Sequence, residues 1–335
     1  MSDDAGGRAG WDRILEGRVT GIFSREVLLG VTLSVMTFLT ASTLSVLSTL
    51  GALFAPLPIL YYALHYGRGK GLAILVLSLG VTGGVLYLAG GYSAWYHLFY
   101  LGFLGVLLAD VLQRGLPIEK TVIGTTLLFL GLGGLVLVTY SLFAGTGPLQ
   151  VVREYIQVTL RDGLDLYIQM EGATGKADEF RDRMDEIGAV LLHLLPALVF
   201  VGTAFTVFLN LQAGQFFSRR NGRPYPVFED LSRWRLPDPL VWVLILGGGA
   251  LLVPVESLRW IGINLLIVFF FFYLFQGLAI VSFFFGKWHV PLFFRMMGYM
   301  LVFIHHVPLF AVGFLGVADV WADFRKVQKK PAPPS

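Results

Sequence analysis

Apolar stretches of membrane-crossing length recur from Val27 to Val317, with only two long polar interruptions, and this recurrence limits the fold more than any other feature. A transmembrane helix needs about 20 consecutive apolar residues. Backbone groups inside a bilayer must be bonded within the protein, so repeated spans of this kind fold as helices. The chain of 335 residues is 56% hydrophobic and 14% charged, whereas a soluble domain carries roughly a quarter charged residues. The reading is all-α: a polytopic membrane bundle of about eight or nine transmembrane helices, with no soluble domain able to fold by itself.

The expected spans are 27–50, 52–66, 71–89, 94–112, 121–144, 187–211, 239–255, 260–285 and 293–317. The second holds Pro56 and Pro58 and reads as a loop or broken helix dipping into the membrane. Around the spans lie an N-terminal tail at 1–25, a six-helix bundle at 26–212 with an outer insertion at 145–186, and a basic loop at 213–237. C-terminal membrane helices at 238–318 and a polar basic tail at 319–335 follow. Val152, Tyr155, Ile156, Leu160 and Leu164 give the insertion an amphipathic helical pattern; it either covers apolar helix ends or closes over a binding site.

Basic residues set the orientation. An N-terminus in the cytoplasm gathers Arg8, Arg13, Arg18 and Arg25, then Arg68 and Lys70, Arg114 and Lys120, and Arg219, Arg220, Arg223, Arg233 and Arg235 on the inner side. The expected location is therefore the cell inner (cytoplasmic) membrane, and the bilayer is the first partner. Nine spans would leave Arg325, Lys326, Lys329 and Lys330 outside. Eight, with the glycine-rich 239–255 segment re-entrant, would return the C-terminus to the inner side and fits the charge rule better. The net charge of +3 falls beside spans, which is an orientation signal and not one for nucleic acid.

Few residues carry chemistry. The absence of cysteine excludes disulfides, thiolate metal sites and cysteine nucleophiles. There is no phosphate-binding loop, zinc-protease motif or nucleophile elbow, so no enzyme activity and no cofactor is expected. The neighbours His305 and His306 point about 100° apart on a helix and do not by themselves make a metal site. Thr203, Thr206 and Asn210 form a polar stripe at i, i+3, i+7, with His193 nearer the outer end. Such a stripe either bonds neighbouring helices or lines a solute cavity. Thr37, Ala41 and Ser45 form a small-residue stripe that either packs within the bundle or docks a membrane partner. Gly124, Gly131, Gly133 and Gly134 are expected to serve close internal packing.

Two stretches carry a family resemblance: EDLSRWRLPDPLVWVL at 229–244 and FLGVADVWADFRK at 314–326. With the span pattern, they resemble the YybS-like family of bacterial membrane proteins, which has no settled biochemical function. That family is distantly similar to the S components of energy-coupling-factor vitamin transporters, over roughly 27–212 here. The likeness implies a six-helix solute-binding bundle that docks a transmembrane coupling protein and its ATPase through the stripe at Thr37, Ala41 and Ser45. It also implies a substrate loop around Phe54. Thr and Ser stand where that stripe usually has alanine, and further spans follow Gln212.

The residues expected to meet a small-molecule solute are Phe54, Tyr61, His97, His193, Thr203, Thr206 and Asn210. Small-solute binding or transport without an ATPase of its own is the first functional reading. A non-transporting membrane scaffold or assembly factor, using the basic loop to hold partners, is the second.

Overall fold

The first apolar run does not fold as one helix. The computed structural model describes residues 24–42, 46–89, 95–171, 181–226, 228 and 230–326. In it α1 covers Arg25–Ser42, and α2, Val46–Phe54, returns along it. The hydroxyls of Thr40 and Ser42 donate to the carbonyls of Met36 and Phe38, both at 2.8 Å. Gly51 of α2 rests on the backbone of Thr40 and Ala41, an approach that any Cβ would block.

Every element among the described residues is helical. After α2 come α3 (Pro56–Tyr66), α4 (Arg68–Leu88), α5 (Trp95–Leu112), α6 (Ile118–Ala144), α7 (Pro148–Glu171) and α8 (Met184–Arg220). The remaining helices are α9 (Val241–Ala250), α10 (Glu256–Lys287), α11 (Leu292–Ile304) and α12 (His306–Ala322). By length and composition α1, α4, α6, α8 and α10 are able to cross a membrane, and α11 with α12 would make a sixth span bent by 101°. This confirms a multi-pass helical membrane protein, with fewer full-length spans than the apolar runs suggest. Breaks explain the difference. The run at 239–255 yields only a short helix, and the run at 293–317 divides at His305, whose backbone is extended. Pro308 has no N–H for the Ile304 carbonyl, so one bond that would carry the helix across His305 is missing.

The chain divides into two compact units, Met1–Leu130 with Thr203–Val227, and Gly131–Gly202 with Phe228–Ser335. In the first, α3 packs on α1, α4 and α5. Glycines let it do so: Gly71 of α4 meets Ala63, and Gly105 of α5 lies on the Pro56 carbonyl. Gly67 holds φ +93° between α3 and α4, a conformation natural to glycine that turns the chain in one residue.

In the second unit α9 folds back on α10, with Gly247 and Gly262 facing each other's carbonyls. The closest crossing is that of α10 with α12: a Cβ on Gly277 would fall on the Val312 carbonyl, and one on Gly316 on the Tyr273 carbonyl. In lipid, where apolar side chains gain little by leaving the solvent, such backbone approach is what holds helices together. The glycines of α6 do not behave this way, since Gly124, Gly131 and Gly134 have no neighbour within 4 Å of a Cβ position. The amphipathic α7 places Ile156 and Leu160 against Gly188 of α8.

Pro196 interrupts α8, and Asn264 of α10 repairs it. The Asn264 Oδ1 accepts the Ala197 N–H at 2.9 Å, while its Nδ2 donates to the His193 carbonyl at 2.8 Å. Those two backbone groups would be each other's partners in an unbroken helix. The His193 ring stacks on Trp260, one turn before Asn264, at 4.5 Å.

Two outcomes follow. Gly277→Leu or Gly316→Leu should prevent recovery of folded protein in mild detergent, whereas Gly131→Ala should leave its melting temperature unchanged; equal behaviour would disprove the crossing. Asn264→Leu should cost on the order of 1–3 kcal/mol for each backbone group left unbonded. Adding Pro196→Ala should recover most of that loss in the same thermal assay.

Candidate functional site

Two polar clusters lie among the apolar helices, one in each unit. In the first, the break between α2 and α3 sits beside Asn210. Pro56 and Pro58 have no N–H, which strips the Ala52 and Phe54 carbonyls of their helical donors. The Ala55 N–H turns to Ala52 at 3.4 Å. Asn210, fully buried on α8, donates Nδ2 to the Leu53 carbonyl and to the Thr206 carbonyl, each at 2.7 Å. Both donors of the amide are thereby used, and its Oδ1 is a buried acceptor without a protein donor.

From Asn210 a polar seam follows α8 along α3. His65 Nε2 and Ser218 Oγ share a hydrogen bond of 2.9 Å, Asn221 Nδ2 donates to the Tyr61 hydroxyl at 3.1 Å, and Arg223 donates to the Tyr66 hydroxyl at 2.9 Å. Beyond the helix end, the Tyr225 hydroxyl donates to the Leu211 carbonyl at 2.9 Å. Burial pushes the Tyr225 phenol well above its ordinary pKa, so it stays a neutral donor.

The expected solute residues are thus only partly gathered. Asn210 and Thr206 are buried and sit at the Leu53 carbonyl, next in sequence to the half-buried Phe54. Thr203 is half-buried one turn away, and Tyr61 lies farther along the seam. His193 belongs to the second unit, exposed, with Nδ1 on the Ala189 carbonyl at 2.7 Å. The His97 side chain lies outside the described residues. Of the small-residue stripe, Ala41 lies under Gly51, Thr37 donates to the Ser34 carbonyl at 2.9 Å, and Ser45 is outside the described residues.

The second cluster is a clasp of buried charge. Asp319 on α12 and Arg325 beyond it form an ion pair of 2.8 Å between side chains with no exposed surface. Asp323 ends α12 in the left-handed conformation, φ 40° and ψ 56°, which an aspartate tolerates and which folds the following residues back. The Phe324 N–H then reaches Asp319 Oδ1 at 2.9 Å. Gln276 of α10 donates to Asp319 Oδ2 at 3.2 Å and accepts the Leu236 N–H at 3.0 Å. Arg325 donates to the carbonyls of Ser232 and Trp234, both at 2.9 Å. Arg235 joins Asp238 at 2.9 Å, Asp323 at 3.3 Å and the Val320 carbonyl at 3.0 Å.

The clasp fastens segment 230–238 to the end of α12, so both lie at the same end of the second unit. Its charged groups bond to one another and to backbone carbonyls, which fixes this segment against α10 and α12. Sequence reasoning did not bring these residues together. The available signal was an aspartate inside an apolar run, followed within six residues by Asp323 and Arg325.

The sequence model of a family described as "Predicted membrane protein (DUF2232)" matches residues 32–320. The chain is also 23% identical over 286 residues to the "Uncharacterized protein YybS" of Bacillus subtilis (strain 168), covering 83% of this chain and 89% of that protein. No solved structure matches. The two stretches on which the family resemblance rests, 229–244 and 314–326, contribute every polar clasp residue except Gln276.

Breaking the clasp on one side should be costly. Arg325→Ala leaves the Asp319 carboxylate buried without a cation, a loss of about 3–5 kcal/mol for such sites. Arg325→Ala combined with Asp319→Ala should be less destabilised than Arg325→Ala alone, measured by thermal unfolding. Because the natural chain has no cysteine, Arg233→Cys and Lys326→Cys can be tested singly with an impermeant thiol reagent. They should label from the same side of sealed vesicles, and labelling from opposite sides would refute the clasp.

Proposed function

Because this chain belongs to the YybS-like membrane-protein family DUF2232, we propose that its first unit binds a small solute within the bilayer. The observation that carries this reading is the buried Asn210 acceptor beside a proline-broken helix. Broken helices at membrane depth supply backbone groups that a continuous helix keeps for itself, which is how many transporters build solute sites. A solute with an N–H or O–H donor would complete Asn210. Thr206 and Phe54 are its nearest neighbours in this proposal.

The proposed setting is the inner membrane with the N-terminus cytoplasmic. Supporting this, the ion pairs Arg68–Asp110 at 3.2 Å and Lys70–Glu26 at 3.9 Å, with the Arg223–Tyr66 bond, gather basic helix ends at one end of the first unit. Energy would come from a transmembrane coupling protein and its ATPase, meeting α1 near Thr37, since Ala41 is already covered by Gly51 of α2. A scaffold without transport is the second reading, favoured by the clasp, whose charges serve only to hold the chain.

A thermal-shift screen of polar metabolites on purified protein tests the first reading. A donor-bearing solute should raise the melting temperature of the natural chain, and Asn210→Leu should abolish that rise while remaining folded. If no metabolite shifts the protein and no ATPase co-purifies, solute binding fails. A crosslinked protein complex that survives Asn210→Leu would then favour the scaffold.

A further inference from the structure

The basic end of the first unit has an arrangement that solute binding does not use. The Tyr66 ring has two cations beside it. The Lys70 ammonium lies 5.3 Å from the ring centroid and the Arg223 guanidinium 5.1 Å, with Arg223 also donating to the Tyr66 hydroxyl. Contacts with a ring face fix a cation without neutralising it. Among the described residues Arg223 meets no carboxylate, and Lys70 has only the long contact with Glu26, at 3.9 Å between half-exposed groups. Arg25, Arg219 and Arg220 add exposed positive charge at the same end.

Apolar surface leads away from this pair of cations. The Glu26–Lys70 contact brings the first turns of α1 and α4 together, and Gly30 meets Ile74 one turn later, so the two helices run on side by side. On α1 the face that begins at Glu26 continues outward as Leu29, Leu33 and Met36, from 47% to 61% exposed. Fixed cations at the head of an exposed apolar strip match an amphiphile with an anionic head. A free phosphate would use the cations alone.

We infer that one anionic phospholipid binds here, its headgroup phosphate between Arg223 and Lys70 beside Tyr66 and its acyl chains along the outward face of α1. Juxtamembrane cations attract anionic lipid independently of any solute, so this inference stands apart from the solute proposal.

The test uses the full chain in lipid nanodiscs of phosphatidylcholine with or without phosphatidylglycerol. Native mass spectrometry after detergent extraction should find one phosphatidylglycerol retained per chain, and the melting temperature should be higher in discs that contain it. Removing both cations as Arg223→Gln with Lys70→Gln should weaken retention about thirty-fold, while Arg219→Gln with Arg220→Gln should keep it. Equal loss in the two double variants would reduce the effect to a general basic collar and overturn the site. So would the same thermal shift from inorganic phosphate in phosphatidylcholine discs, or no retained lipid. If the first double variant misfolds, hydrogen exchange of the natural chain decides. Added phosphatidylglycerol should protect 66–72 and 219–225, and absence of protection rejects the site.

Discussion

A helix interrupted inside a bilayer has no water to turn to, so each backbone group it releases must find a partner in the protein. Much of this fold follows from meeting that demand with side chains. Asn264 takes both groups loosened at Pro196. Asn210 takes the Leu53 carbonyl where prolines break the second span. In the connecting segment 230–238, which no long helix satisfies, Gln276 takes the Leu236 N–H and Arg325 the carbonyls of Ser232 and Trp234. All four are long or branched polar side chains on or next to membrane helices, where their own burial would be expensive without these bonds. The interruption and the polar residue stabilise each other, and neither makes physical sense alone.

This reciprocity explains what could be read in the sequence. The all-helical membrane class is written in the spacing of apolar runs, and the sensitive points within them were visible as Pro56, Pro58, Pro196 and the polar residues Asn210, Asn264 and Gln276. What one sequence does not supply is the pairing, because Asn264 lies 67 residues from Ala197 and Asn210 lies 157 from Leu53. Hydrophobicity also measures how much apolar surface a segment has, and not whether it is continuous. The runs at 27–50 and 293–317 therefore looked like single spans although each holds two helices. The glycines misled in the opposite direction. Those of α6 are no different in sequence from Gly277 and Gly316, yet only the latter lie where another backbone passes.

Charge is used in two unlike ways. At the basic end of the first unit it stays at the surface, held against aromatic rings and spaced carboxylates. In the second unit the Asp319–Arg325 pair is drawn inward, where a cation without its anion would be intolerable. The stretch from Asp319 onward has the composition of a solvated tail, yet Asp319 and Arg325 are among the most buried polar residues described. Composition could not distinguish these cases, since the difference lies in whether carbonyls and carboxylates are waiting at the position the chain reaches. Asn210 belongs to neither class. It is buried and bonded through its nitrogen only.

The clasp also imposes an order in time. Ribosomes make the chain from the N-terminus, and Arg325 appears only after every helix it fastens. Until it does, the carbonyls of Ser232 and Trp234 and the carboxylate of Asp319 lack the donor that Arg325 brings them. The first unit lacks only a helix end made a hundred residues earlier. The last contacts of the second unit are therefore set by a residue made about a hundred positions after the last helix end of the first.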